Sequence, residues 1–278
     1  MTHWVRLGGC LFTGIKEDSM ECQNEKITKW FLPPPTEYRL ECVMQPARVF
    51  LYPPVQRLSF ILTLTFNSFA FMMQLERYQF KTPSSILIAG SSMSGKTTFC
   101  QRLITHRSEM FDKEIDEIYF VYNYKQPFFE KFPFVNFTRE IPNNLDANRR
   151  SLVIFDDCMS DNKKLAEIAN FFTAVSHHMN ASVIFITQNL FLNNSFYRTI
   201  SQNATAIVIF RSPRIADQLR ILSRQIFGDA NLLQKVYMDE TKEAYRYILL
   251  DLSQESNPHY RIRARVLPNE SPQIVYET

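Results

Sequence analysis

No two cysteines of this chain stand at CxxC spacing. The five it has, Cys10, Cys22, Cys42, Cys100 and Cys158, are odd in number and scattered over 278 residues. That argues against a disulfide framework and suits free thiols in a reduced, intracellular compartment. A basic segment leading into a clean apolar core and a small-residue cleavage site is also missing, so no secretory signal is expected. No apolar run reaches the roughly 20 residues of a membrane span. The best candidate, residues 58–71, is shorter and carries Asn67 and several hydroxyls, so no membrane contact is expected. Charge of one sign is scarce too: 31 Lys and Arg against 28 Asp and Glu leave +3. Any contact with nucleic acid must therefore come from a local patch or from a ring that gathers several subunits. Internal repeats and low-complexity tails are absent. His177-His178 has no partner at metal-ligand spacing and reads as a helix end.

What is present divides near Met72. Residues 1–71 hold both tryptophans, three of the five cysteines and the Pro33-Pro34-Pro35 and Pro53-Pro54 interruptions, with little periodicity. They are expected to form a poorly specified N-terminal extension, with a start at Met72 or Met73 as an open alternative. Residues 72–278 are expected to form one α/β domain. Apolar runs at 85–89, 118–122, 152–155, 182–186 and 206–210 are continuous rather than alternating, as strands of a parallel sheet are when both faces are covered. Helical periodicity lies between several of them: Leu165, Ile168, Ala169, Phe172 and Val175 share one face, and Leu219, Leu222 and Ile226 share another. Residues 245–250 and 260–266 predict a short antiparallel edge, the second alternating Arg261, Arg263 and Arg265 with apolar residues. The fold class is a mainly parallel α/β sandwich.

The first of these strands runs into Gly90-Ser91-Ser92-Met93-Ser94-Gly95-Lys96-Thr97, two glycines four residues apart followed by Lys and a hydroxyl, and then into an amphipathic stretch from Thr98. Strand, loop and helix in that order form a phosphate-binding loop: glycines permit the sharp turns, and backbone amides at a helix start point at the anion. The stretch Gly90 to Thr98 is expected to bind ATP, Lys96 reaching the β- and γ-phosphates and Thr97 helping to hold Mg²⁺. A second apolar run ends in Asp156-Asp157. Asp156 is expected to hold Mg²⁺ through its water shell, while Asp157, on the other side of the pleat, polarises the attacking water. Thr187-Gln188-Asn189 closes the next run, at the strand end where ligands bind in open α/β sheets, so Gln188 is a candidate γ-phosphate sensor. Arg211 and Arg214 follow the last core run. Either is a candidate arginine finger, with Arg149-Arg150 as rivals and a solvated or DNA-facing role as the alternative.

The order of these parts resembles the genome-packaging ATPases of the FtsK-HerA superfamily, in particular those of large eukaryotic DNA viruses and of Polinton (Maverick) virus-like transposons. The motifs that carry the likeness are the Gly90–Thr97 loop, Phe155-Asp156-Asp157, Phe185 to Asn189 and Phe210-Arg211-Ser212-Pro213-Arg214. It covers roughly residues 74–267, and nothing before 72. The resemblance implies a P-loop NTPase fold and a homo-oligomeric ring, of six subunits in many such motors. Such a ring threads double-stranded DNA by ATP hydrolysis, with capsid proteins as further partners and a nuclear or virion-associated location. Where many such motors carry Asp-Glu, this chain has Asp156-Asp157, one methylene shorter. Two other classes share the loop: a small-molecule kinase, which would want an arginine-rich lid and has no use for Gln188, and a non-catalytic remnant that only binds nucleotide or DNA.

Overall fold

A computed structural model describes residues 4–7, 10–13, 28–32, 77–156, 162–191, 194–270 and 273–278. Strands β1 (Trp4–Leu7) and β2 (Cys10–Thr13) pair antiparallel, Leu7 opposite Cys10, in a unit separate from the one that carries the candidate site. That second unit comprises Ile27–Pro33 and Tyr78–Thr278. The membrane candidate at 58–71 lies outside the described residues. Among those residues no helix is long and apolar enough to cross a membrane.

Ten strands form the sheet of the second unit. The five continuous apolar runs become β4 (Ser85–Ala89), β5 (Glu117–Tyr122), β7 (Ser151–Asp156), β8 (Ala181–Thr187) and β9 (Ala206–Phe210). A three-residue edge strand, β6 (Asn136–Thr138), pairs with β5. All six are parallel, in the order β9-β4-β8-β7-β5-β6. From β9 the sheet turns antiparallel through β10 (Tyr247–Asp251), β11 (Ile262–Ala264) and β12 (Gln273–Glu277) to β3 (Thr28–Leu32). The chain is thus a mainly parallel α/β sandwich with an antiparallel C-terminal edge. A boundary at residue 72 leaves β3 outside the expected α/β domain, yet β3 pairs with β12 over five residues, Phe31 opposite Ile274.

Because successive side chains of a strand point to opposite faces, one run supplies both layers of core. Leu87, Val153, Phe155, Val183, Phe185 and Ile209 face one layer. It is completed by α3 (Asn162–Asn170), α4 (Ser195–Asn203), α5 (Ala216–Phe227) and α6 (Leu232–Glu240). Ile86, Ile88, Ile154, Ile184 and Phe210 face the other, where α1 (Lys96–Thr105) lays down Phe99, Cys100, Leu103 and Ile104, with α2 (Arg107–Met110) behind it. Each such side chain is worth about 1.5–3 kcal/mol on full burial. The helical periodicity read over 163–179 holds, with a change of pitch. After Asn170 the chain continues through a π-helical stretch, Phe171–Val175, which sets the Phe171 ring edge-on against Phe155 at 5.3 Å. His177 and His178 then end the helix.

Candidate functional site

After β4 the chain skips to the far side of the sheet, fills back through β7 and β8, and only then lays β9 against the other edge of β4. The crevice outside the carboxyl end of β4 is therefore flanked by late strands on both sides, the place where open α/β sheets bind ligands. Gly90 is the first residue past that end, and its N–H donates to Thr187 O at 3.3 Å. A Cβ at Gly90 would lie 2.6 Å from Phe210 Cβ and 2.9 Å from Ser94 Oγ. The Phe210 contact comes from an interior strand that cannot retreat. Gly90→Ala should therefore cost about 1–3 kcal/mol by overpacking. Thermal unfolding checks this; an unchanged midpoint would mean that the loop has slack at its root.

The loop then needs left-handed backbone at two points, Met93 (φ 61°) and Gly95 (φ 104°). Met93 is almost wholly exposed and presents its side chain to solvent. Gly95 is the N-cap of α1, which has neither a side-chain cap nor an acid in its first turn. The first turn of α1 therefore turns its amides and the positive end of its dipole toward the loop, and no carboxylate of that turn repels an anion there. Lys96 Nζ donates to Gly90 O and Ser91 O, both at 2.7 Å, so the ammonium lies over the loop it is expected to serve. Ser91 Oγ donates to Arg211 O at 3.1 Å and ties the loop to the segment after β9. Thr97 is half-buried, and Ser92 and Thr98 are exposed.

Asp156 ends β7 and is 7% exposed. Its Oδ2 accepts from Gln126 Nε2 at 2.9 Å. Carboxylate and hydroxyl oxygens are the hard donors Mg²⁺ takes, so Asp156 and Thr97 fit the group expected of them. Between the loop and this acid lies β8, with Thr187 opposite Ala89 on one side and Ile186 opposite Asp156 on the other. Gln188, the next residue, is exposed at the end of that central strand. Asp157 lies outside the described residues. The buried Cys100 thiol is pushed up, foremost by burial and then by the charge of Asp156, with Lys96 opposing.

Arg211 Nη1 donates to Lys242 O at 3.3 Å, within the same chain, while Arg214 is exposed in the turn before α5. Helix α5 starts at Ala216, with Ile215 as its N-cap. Arg149 and Arg150 precede β7 at its opposite end, and the strand's first and last residues, Ser151 and Asp156, are themselves roughly 17 Å apart at strand rise. There Arg149 pairs with Glu117, and Arg150 Nε donates to Glu114 O at 2.7 Å. Two of the three alternating basic residues are turned to internal duty. Arg263 lies 5.3 Å from the Tyr78 ring centroid and is held below its ordinary pKa by burial, with Asp251 opposing, and Arg265 faces Glu240 at 3.6 Å. Among the described residues no cluster of His, Cys, Asp and Glu could hold a metal by itself.

Three supporting residues escape a reading of motifs. Gln126 caps the short turn Pro127–Lys131 beyond β5, which ends at Tyr122, so it is not a strand-end residue as Gln188 is. The Tyr197 hydroxyl donates to Asn189 O and shares a hydrogen bond with Thr187 Oγ1 at 3.1 Å, and burial raises its pKa so that it stays neutral. The Tyr237 hydroxyl accepts from Ser212 N at 2.6 Å and braces the arginine segment. Neither tyrosine carries a sequence signal, since each acts from a helix packed under a strand end.

The chain matches no model of a known protein family and no curated protein. Among solved structures it is similar to the genome packaging NTPase B204 of Sulfolobus turreted icosahedral virus 2 bound to ATP-γS. That likeness has 14% identity and a TM-score of 0.40, and covers 66% of this chain and 96% of that one. It is also similar to the cytoplasmic domain of the Thermomonospora curvata Type VII secretion ATPase EccC, at 10% identity, TM-score 0.42, and 70% and 25% coverage. A KaiC-like protein from Pyrococcus horikoshii OT3 is a third, at 12% identity, TM-score 0.37, and 71% and 91% coverage. The fold described above rests on this chain's own strand order, and the site on its own residues.

Proposed function

We propose that this chain is a Mg²⁺-dependent ATPase that moves double-stranded DNA as a homo-oligomeric ring, a packaging motor in the sense of its sequence resemblance. The observation that carries the reading is the register of β4, β8 and β7, in which the loop, Gln188 and Asp156 follow one another along the carboxyl end of the sheet. A nucleotide reader without hydrolysis has no need of the second and third parts.

In this reading the amides of Gly95 to Thr98 and the Lys96 ammonium hold the triphosphate, Lys96 exchanging its loop carbonyls for phosphate oxygens. Thr97 and Asp156 hold Mg²⁺, which when bound neutralises charge on the β- and γ-phosphates. Asp157 orients and polarises the attacking water, and Gln188, between loop and acid, senses the γ-phosphate. Of the two arginines Arg214 is the better finger toward a neighbouring subunit, because Arg211 is engaged within its own chain. The ATPase unit is residues 72–278 together with β3. DNA contact falls to surfaces other than Arg263 and Arg265, and capsid proteins and a nuclear or virion-associated location belong to the same proposal.

Native mass measurement with an ATP analogue and duplex DNA, together with hydrolysis assays, tests this. A ring of several copies and DNA-stimulated hydrolysis are expected, with DNA affinity that falls steeply with salt and differs little between sequences. Mixing Arg214→Ala with Lys96→Ala should restore partial activity at mixed junctions. Phosphoryl transfer to nucleosides by a monomer would identify a kinase instead.

A further inference from the structure

The catalytic groups lie on one side of the loop only. Asp156 and Gln188 follow β7 and β8, whereas β9 and β10 lie on the other side of β4. A triphosphate whose γ-end points at Asp156 must send its α-phosphate, sugar and base away from β7, over the first turn of α1 toward β9 and β10. On that side a cleft of about 220 Å³ opens beside α1, walled by Gly95, Thr98, Arg102, Phe210, Tyr245 and Tyr247. Its rim carries Tyr245, a large aromatic that is 69% exposed although it sits in a folded turn.

Tyr245 is held there at some cost. Its φ is 66°, a conformation that a bulky residue adopts only when its surroundings impose it. Its ring lies against the loop, Cδ1 at 3.5 Å from where a Gly95 Cβ would stand. The connection that carries it is anchored at both ends: Arg211 Nη1 donates to Lys242 O, and Tyr247 is buried with its hydroxyl donating to Glu270 Oε2 at 2.6 Å. Arg102 closes the back of the cleft by pairing with Glu270 at 2.9 Å and with Asn269. The polar groups at the back are thus satisfied by one another, while the exposed face at the rim is aromatic.

We propose that Tyr245 is the platform on which the base of the bound nucleotide stacks, with Thr98 and Arg102 flanking the path from the loop. The proposal rests on the nucleotide reading above. Recognition is by the π-face, which every base has, and not by hydrogen bonds to base edges, because Arg102 and Glu270 already serve each other.

The full chain is titrated with ATP and, separately, with inorganic tripolyphosphate, which has phosphates and no base. Tyr245→Ala should weaken ATP by about five- to a hundredfold, the range for losing one stacked base, and leave tripolyphosphate unchanged. Tyr245→Trp should keep ATP affinity. If Tyr245→Ala binds ATP as the parent does while Lys96→Ala loses both ligands, the base seat is overturned and the phosphate site stands. Equal weakening of both ligands by Tyr245→Ala would overturn it as well, since the tyrosine would then only shape the loop through Gly95. A parent chain that binds neither ligand would overturn the nucleotide reading and this proposal together.

Discussion

Lys96→Ala is expected to weaken ATP by on the order of 2–5 kcal/mol, roughly 30-fold to several thousandfold, and to bring hydrolysis below detection. Lys96 is the only cation of the loop, and the amides at the start of α1 supply only partial charges. The variant should still fold. Its lost contacts, two donations to the carbonyls of Gly90 and Ser91, stand at a half-buried position at the edge of the core. Calorimetric titration beside a thermal melt checks both halves. A variant that melts like the parent and binds ATP equally well would remove the loop from the function altogether.

The second large effect is expected at the acid pair, and it separates binding from chemistry. Asp157→Asn should keep ATP affinity while hydrolysis falls by about 10²–10⁴-fold, the ordinary worth of a positioned base. Asp156→Asn should behave differently. It replaces a buried carboxylate that Gln126 orients, so both Mg²⁺ dependence and turnover should suffer. Single-turnover hydrolysis with separately measured affinities distinguishes the two. Asp157→Asn turning over like the parent would move the base to another residue, a carboxylate from a neighbouring subunit being the next to test.

A pattern local in sequence can be read without coordinates, and several parts of this protein are local. The five buried strands follow from continuous apolar runs, because a strand covered on both faces leaves no position for a polar side chain. The loop is legible because its demands fall on successive residues: no Cβ at Gly90, left-handed backbone at Gly95, a cation and a hydroxyl immediately after. The helical faces over 163–179 and 215–227 were legible for the same reason, though the π-helical stretch at Phe171–Val175 was not, since no spacing rule marks it. The edge strand β11 falls within the 260–266 run read from sequence, whereas β6, with three residues, is too short for periodicity to mark.

Everything that depends on which strand lies beside which was decided by the tertiary structure. The sequence sets Asp156 and Gln188 apart by 32 positions, but only the order β4-β8-β7 makes them neighbours on one side of the loop. Alternating arginines at 261, 263 and 265 look like a basic stripe in one dimension. In three, the strand they flank lies between two others, and the pleat drives Arg263 against Tyr78 while a left-handed turn carries Arg265 to Glu240. Tyr245 has no motif at all, and its place beside Gly95 comes from the β9–β10 pairing and the two anchors of its turn. Local backbone and side-chain preferences are written residue by residue, whereas such long-range neighbours are set by strand order and burial, which no short window of sequence contains.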